Sequence, residues 1–192
     1  MQNMDSQLME RLFSNEHSMS NYPSFSEYVP EEVYERVHSI LDHMGRLHPM
    51  EADILELHLL KRVPQSALGK IFGYTQPNIH YRVNRALERV KILIKIPVLD
   101  PEEMGDTLSR YFSDPKDVRV MVLLYLYSSQ SHAAREIGES QGKVRYRFLR
   151  CLNALSQNKE LSEIYEALKT ISDHLTLLRR PTKVEEKKRV IL

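Results

Sequence analysis

One cysteine in 192 residues rules out an internal disulfide, and a reducing cytoplasm is the natural setting for such a chain. There is no HExxH segment, glycine-rich phosphate loop or Ser-His-Asp signature, so no enzyme activity, cofactor or metal is expected. His38, His43, His48 and His58 do not supply the i, i+4 pair plus third ligand of a zinc site, and they read as a scattered set. No secretory leader is recognisable. The longest apolar run, residues 118–127 broken by Arg119, is too short to cross a bilayer and reads as a buried helix, so no membrane partner is expected. A large net charge is missing too. Lys and Arg number 27 against 26 Asp and Glu, which leaves +1, so any affinity for a polyanion has to come from where the charges sit.

What the chain does have is a repeat. QSALGKIFGYTQPNIHYRVNRALERV, residues 65–90, is echoed by QSHAAREIGESQGKVRYRFLRCLNAL, residues 130–155, at a constant offset of 65. Gln65/Gln130, Ser66/Ser131, Gly73/Gly138, Gln76/Gln141, Tyr81/Tyr146, Arg82/Arg147, Arg85/Arg150 and Leu87/Leu152 recur in register. An internal repeat decides how the rest of a chain is read. Each copy predicts a short helix, a turn and a longer helix. Gly73 and Gly138 fall at the turn, where a left-handed backbone suits glycine. Thr75 and Ser140 are expected to cap the longer helix. Gly69, and Ala134 in the copy, mark the closest approach of the two helices. Ile79, Val83, Ala86, Leu87 and Val90 form one buried stripe, and Val144, Phe148, Cys151, Leu152 and Leu155 form the other. Cys151 on that stripe reads as an inert buried thiol.

The expected fold is therefore all-α: two trihelical helix-turn-helix units in tandem with an extra C-terminal helix. Residues 1–27 read as a mobile arm, 28–96 as the first unit, 97–158 as the second, 159–180 as a heptad-like helix and 181–192 as a charged tail. Pro30 opens a helix with Gly45 as its stop, and Pro49 and Pro64 bracket the next. Pro97 is expected to end the long helix of the first unit. Asp100-Pro101-Glu102-Glu103 starts a helix running to about Phe112, and Asp114-Pro115 starts the apolar one. Leu161, Ile164, Leu168, Ile171, Leu175 and Leu178 make a narrow seam. It either folds back on the second unit or forms a homodimer through 161–178.

The basic residues gather on the longer helices. Arg82, Arg85, Arg89, Lys91 and Lys95 face the single acid Glu88, and Lys143, Arg145, Arg147 and Arg150 occur with no acid between residues 141 and 151. This is an electrostatic footprint for a polyanion. The helix edge opposite each stripe predicts a double-stranded DNA surface. Gln76, Asn78, Tyr81, Arg82 and Arg85 belong to the first copy, and Gln141, Lys143, Arg145, Tyr146, Arg147 and Arg150 to the second. Asn and Gln suit adenine, and Arg and Lys suit guanine or phosphate. Gln65, Ser66, Gln130 and Ser131 open the preceding helices, where phosphates are often met.

TQPNIHYRVNRAL, and more loosely SQGKVRYRFLRCL, resemble the recognition helix of region four in extracytoplasmic-function sigma factors and LuxR-type regulators. The resemblance covers two blocks of about 45 residues each and implies trihelical units that read the major groove. The sigma region that clasps polymerase and melts promoter DNA has no counterpart, and Glu139 stands where the family has an apolar residue, which predicts a looser second turn. The expected function is a sequence-specific transcriptional regulator, cytoplasmic and associated with the nucleoid. Two half-sites about one helical turn apart are expected if both units share one face of the duplex. The alternatives are a DNA-recognition subunit of a phage packaging assembly, or a sigma-like adaptor docking on RNA polymerase.

Overall fold

Prolines and side-chain caps punctuate the chain into helices, and a computed structural model describes residues 31–178. The arm 1–27, Pro30 and the tail 181–192 lie outside the described residues. No strand occurs among the described residues, and the fold is all-α. The chain divides into two compact units between Ile94 and Lys95.

In unit 1, α1 spans Glu31–Leu47 and α2 spans Pro49–Leu55. Helix α1 continues past Gly45, which lies within it rather than ending it. Helix α2 runs on into a π-helical stretch, Glu56–Leu60, in which the Lys61 amide reaches five residues back to the Glu56 carbonyl at 3.1 Å. Helix α3 is Gln65–Phe72 and α4 is Gln76–Leu93. The stop of α4 comes before Pro97, and the Arg36 guanidinium of α1 donates to the Ile94 carbonyl at 2.8 Å, taking up a carbonyl at that end. Helix α4 packs on α1, α2 and α3, and Ile79, Val83, Ala86, Leu87 and Val90 are all buried there.

Unit 2 follows the same order. Helix α5 is Pro101–Ser109, α6 is Pro115–Tyr127, α7 is Gln130–Ile137 and α8 is Gln141–Leu155. A 3-10 turn, Lys159–Leu161, then leads into α9, Ser162–Leu178. Asp100 accepts from the Glu102 and Glu103 amides, and Asp114 accepts from the Lys116 amide, so both expected acidic caps are formed. Helix α5 ends at Ser109, short of Phe112. The Tyr125 hydroxyl accepts from the Leu99 amide at 2.9 Å and so ties the segment before α5 to α6.

Helix α9 packs on α6 and α8, and Leu161, Ile164, Leu168, Ile171 and Leu178 are buried in that contact. The apolar seam is thus occupied within its own unit, the fold-back arrangement of the two considered. Burying such a stripe is worth roughly 1.5–3 kcal/mol per large aliphatic side chain before entropy is counted.

The supporting helices of the two copies differ in their spacing to the paired helices. Pro49 and Pro115 start α2 and α6, and Gln65 and Gln130 start α3 and α7, so the first copy has one residue more between these starts. A π turn is how a helix accommodates one extra residue without ending.

Candidate nucleic-acid interface

Each repeated pair closes through a three-residue turn whose first residue is a left-handed glycine. Gly73 has φ 72° and ψ 31°, and Gly138 has φ 68° and ψ 36°. The next amide in each turn bonds back to the same helix position, Tyr74 to the Gly69 carbonyl at 2.8 Å and Glu139 to the Ala134 carbonyl at 3.0 Å. A Cβ on Gly69 would lie 2.6 Å from the Tyr74 carbonyl oxygen, so glycine is required by close approach in the first copy. Thr75 and Ser140 both occupy the cap position of the longer helix. Only Ser140 uses its side chain, accepting from the Lys143 amide at 3.3 Å, whereas the Thr75 hydroxyl makes no capping bond. Ser129 caps α7 by accepting from the His132 amide, a cap the sequence reading did not single out.

The outward edge of α4 starts with exposed Gln76 and half-buried Asn78, and continues through Tyr81, Arg82 and Arg85. These side chains are joined one turn apart. Arg82 Nε donates to Asn78 Oδ1 at 3.1 Å, and Arg85 Nη1 donates to the Tyr81 hydroxyl at 3.1 Å. The Arg82 guanidinium also lies over the Tyr74 ring, 4.3 Å from its centroid. None of these partners carries a negative charge, and no ion pair engages Arg82 or Arg85 among the described residues. Tyr81 is 56% exposed. Gln65 is half-buried and Ser66 exposed at the start of α3.

Arg89, counted in the basic patch by sequence, does not belong to it. It is wholly buried and paired with Glu51 of α2. Lys91 pairs with Glu88 at 2.6 Å, which leaves Arg82 and Arg85 as the charged part of the α4 edge.

The second copy carries the same residue types in a different electrostatic setting. Arg147, the counterpart of Arg82, is held by three carboxylates. Its Nη1 lies 2.6 Å from Asp114 and 2.7 Å from Asp117, and its Nε lies 3.0 Å from Glu139. Its side chain is 20% exposed. Lys116 adds a second cation to Glu139 at 3.0 Å. Arg150, the counterpart of Arg85, pairs with Asp117. The Arg147 guanidinium, followed by Lys116, holds the Glu139 carboxyl below its ordinary range. Arg147 and then the Lys116 backbone amide do the same to Asp114. Glu139 therefore ties the second turn to α8 and α6 through ion pairs, where the family has an apolar contact.

Lys143 and Arg145 are exposed on α8, Tyr146 is 68% exposed, and Gln141 is exposed and accepts from the Ser131 hydroxyl at 3.3 Å. Gln130 is half-buried and Ser131 exposed. Cys151 is buried, and burial first, then the Asp117 charge, pushes its thiol up to about 11, so it stays protonated near neutrality.

The sequence reading did not foresee Asp114, Asp117 and Glu139 as partners of Arg147 and Arg150. Their signal was present: Asp114 and Asp117 stand three apart at the start of a helix, on one face, and Glu139 departs from an apolar position. No helix of the described residues is long and apolar enough to cross a membrane. No protein-family model, curated protein or solved structure matches this chain.

Proposed function

We propose that the chain is a sequence-specific double-stranded DNA-binding protein acting as a transcriptional regulator, in which each repeated pair is a helix-turn-helix. One observation carries the reading. The outward edge of α4 aligns Gln76, Asn78, Tyr81, Arg82 and Arg85, and its two guanidiniums are held in place by neutral partners rather than neutralised. A pre-arranged cationic edge on a rigid helix suits phosphates and guanine, and Gln76 and Asn78 near the helix start suit adenine edges. Burial of the opposite stripe supports this, because it fixes which edge of α4 faces outward. The regulatory role rests on the resemblance of TQPNIHYRVNRAL to region four of sigma factors and LuxR-type regulators.

Selection of bound duplexes from a random pool tests the proposal. An enriched consensus is expected. A pool that stays random after repeated rounds, with no retention of the protein on immobilised duplex DNA, would overturn it.

A further inference from the structure

We infer that the repeat has divided its labour: Arg82 and Arg85 are the phosphate-contacting arginines, while their counterparts Arg147 and Arg150 are structural, so the first copy carries most of the salt-dependent binding. The inference rests on the DNA-binding reading and goes beyond it, because sequence treats the four arginines as equivalent.

The argument starts from what each guanidinium touches. Arg147 meets Asp114, Asp117 and Glu139 at 2.6, 2.7 and 3.0 Å, and Nη2 makes a second bond to Glu139 at 3.2 Å. A phosphate reaching Arg147 has to displace carboxylates whose bonds are short and charge-assisted, and it would enter the field of the carboxylates it displaced. Arg150 has one such partner, Asp117, which is itself buried and cannot swing into solvent to make way.

In the first copy the supporting helix is in register at an offset of 66, so His48 stands for Asp114, Glu51 for Asp117 and, past the extra residue, Tyr74 for Glu139. The one acid kept, Glu51, is paired with buried Arg89 and not with Arg82 or Arg85. The Tyr74 ring supports the Arg82 guanidinium from one side at 4.3 Å and leaves its charge uncompensated. The Tyr81 hydroxyl likewise orients Arg85 without neutralising it. Each phosphate contact releases condensed counterions and adds to the salt slope, so an arginine that is neutralised internally adds little. Lys143 and Arg145, exposed on α8, remain available to the second copy as flexible or single contacts.

The test compares double variants of the full chain binding a fluorescent mixed-sequence duplex, titrated at several salt concentrations. Arg82→Ala/Arg85→Ala is expected to weaken binding about tenfold or more and to flatten the log–log salt slope by about two, at roughly 0.9 per lost contact. Arg147→Ala/Arg150→Ala is expected to lower the melting temperature of unit 2 while leaving the slope unchanged. Arg150→Ala alone, on the exposed edge of α8, repeats the measurement in a protein that keeps its Arg147 contacts. Equal flattening by the second-copy arginines, or by Lys143→Ala/Arg145→Ala, overturns the division of labour and leaves the DNA-binding reading standing. Failure of the unaltered chain to bind any duplex overturns both.

Discussion

At the scale of single residues, identical side chains at identical repeat positions do opposite things, and the cause lies outside the helix that bears them. Arg89 falls beside the apolar stripe of α4, one step before Val90, and sequence spacing alone puts it on the polar border. Its burial is decided by Glu51, which α2 brings against α4. Removing Glu51 takes away the carboxylate that meets the buried Arg89 charge, so Glu51→Ala should cost unit 1 about 3–5 kcal/mol, read by chemical denaturation. Replacing both partners with apolar residues of similar volume should be close to neutral. A cost for the double change equal to that of Glu51→Ala would show that the pair itself, and not the stranded charge, matters. Periodicity revealed the stripes because a helix repeats its faces locally. It could not reveal Arg89–Glu51 or the hold of Asp114 and Asp117 on Arg147, because those partners lie 30 or more positions away, and Glu139, eight away, sits across a turn.

At the scale of elements, the turn between the paired helices is the most sharply specified part of the fold, and it was legible because it relies on residue types with little freedom of choice. Gly73 and Gly138 adopt the left-handed backbone their positions foretold, and Gly69 sits against a carbonyl that excludes a methyl group. Gly69→Ala should therefore destabilise unit 1 by about 1–3 kcal/mol, the usual cost of overpacking. Ala134→Gly in the equivalent helix should cost only about 0.5–1 kcal/mol, through backbone entropy. Hydrogen exchange of the α3–α4 and α7–α8 amides would separate the two effects, and equal losses in both units would contradict the clash. Element ends were less legible. Helix α1 runs through Gly45 because α2 restarts only at Pro49, and α4 stops before Pro97 although its residues could continue. Ser140 is used as a side-chain cap and Thr75 is not, although both stand at the same repeat position.

At the scale of the whole molecule, the repeated segments fold into units of matching element order with unlike electrostatics, and their stabilities should respond differently to acid. Asp114 and Glu139 are held below the ordinary carboxylate range of about 4, chiefly by Arg147. A carboxyl whose folded pKa is depressed stabilises the folded state above its unfolded pKa, and that stability is lost as pH falls through the folded value. Unit 2 should therefore keep its melting temperature down to about pH 4 and lose it progressively below. Arg147→Ala should lower the neutral-pH plateau and flatten the acid limb; an acid limb of unchanged steepness would mean that these carboxylates are not its source. The π-helical stretch Glu56–Leu60 has a consequence for how such a duplicated chain can diverge. It acts as slack ahead of the paired helices: a residue gained upstream is taken up by a wider coil, and the distance from Gln65 to Gly73 to Gln76 stays the same as from Gln130 to Gly138 to Gln141. An insertion of this kind in the supporting helix therefore does not re-aim the helix that faces outward, whereas a single residue added within α4 itself would rotate the side chains beyond it by about 100°.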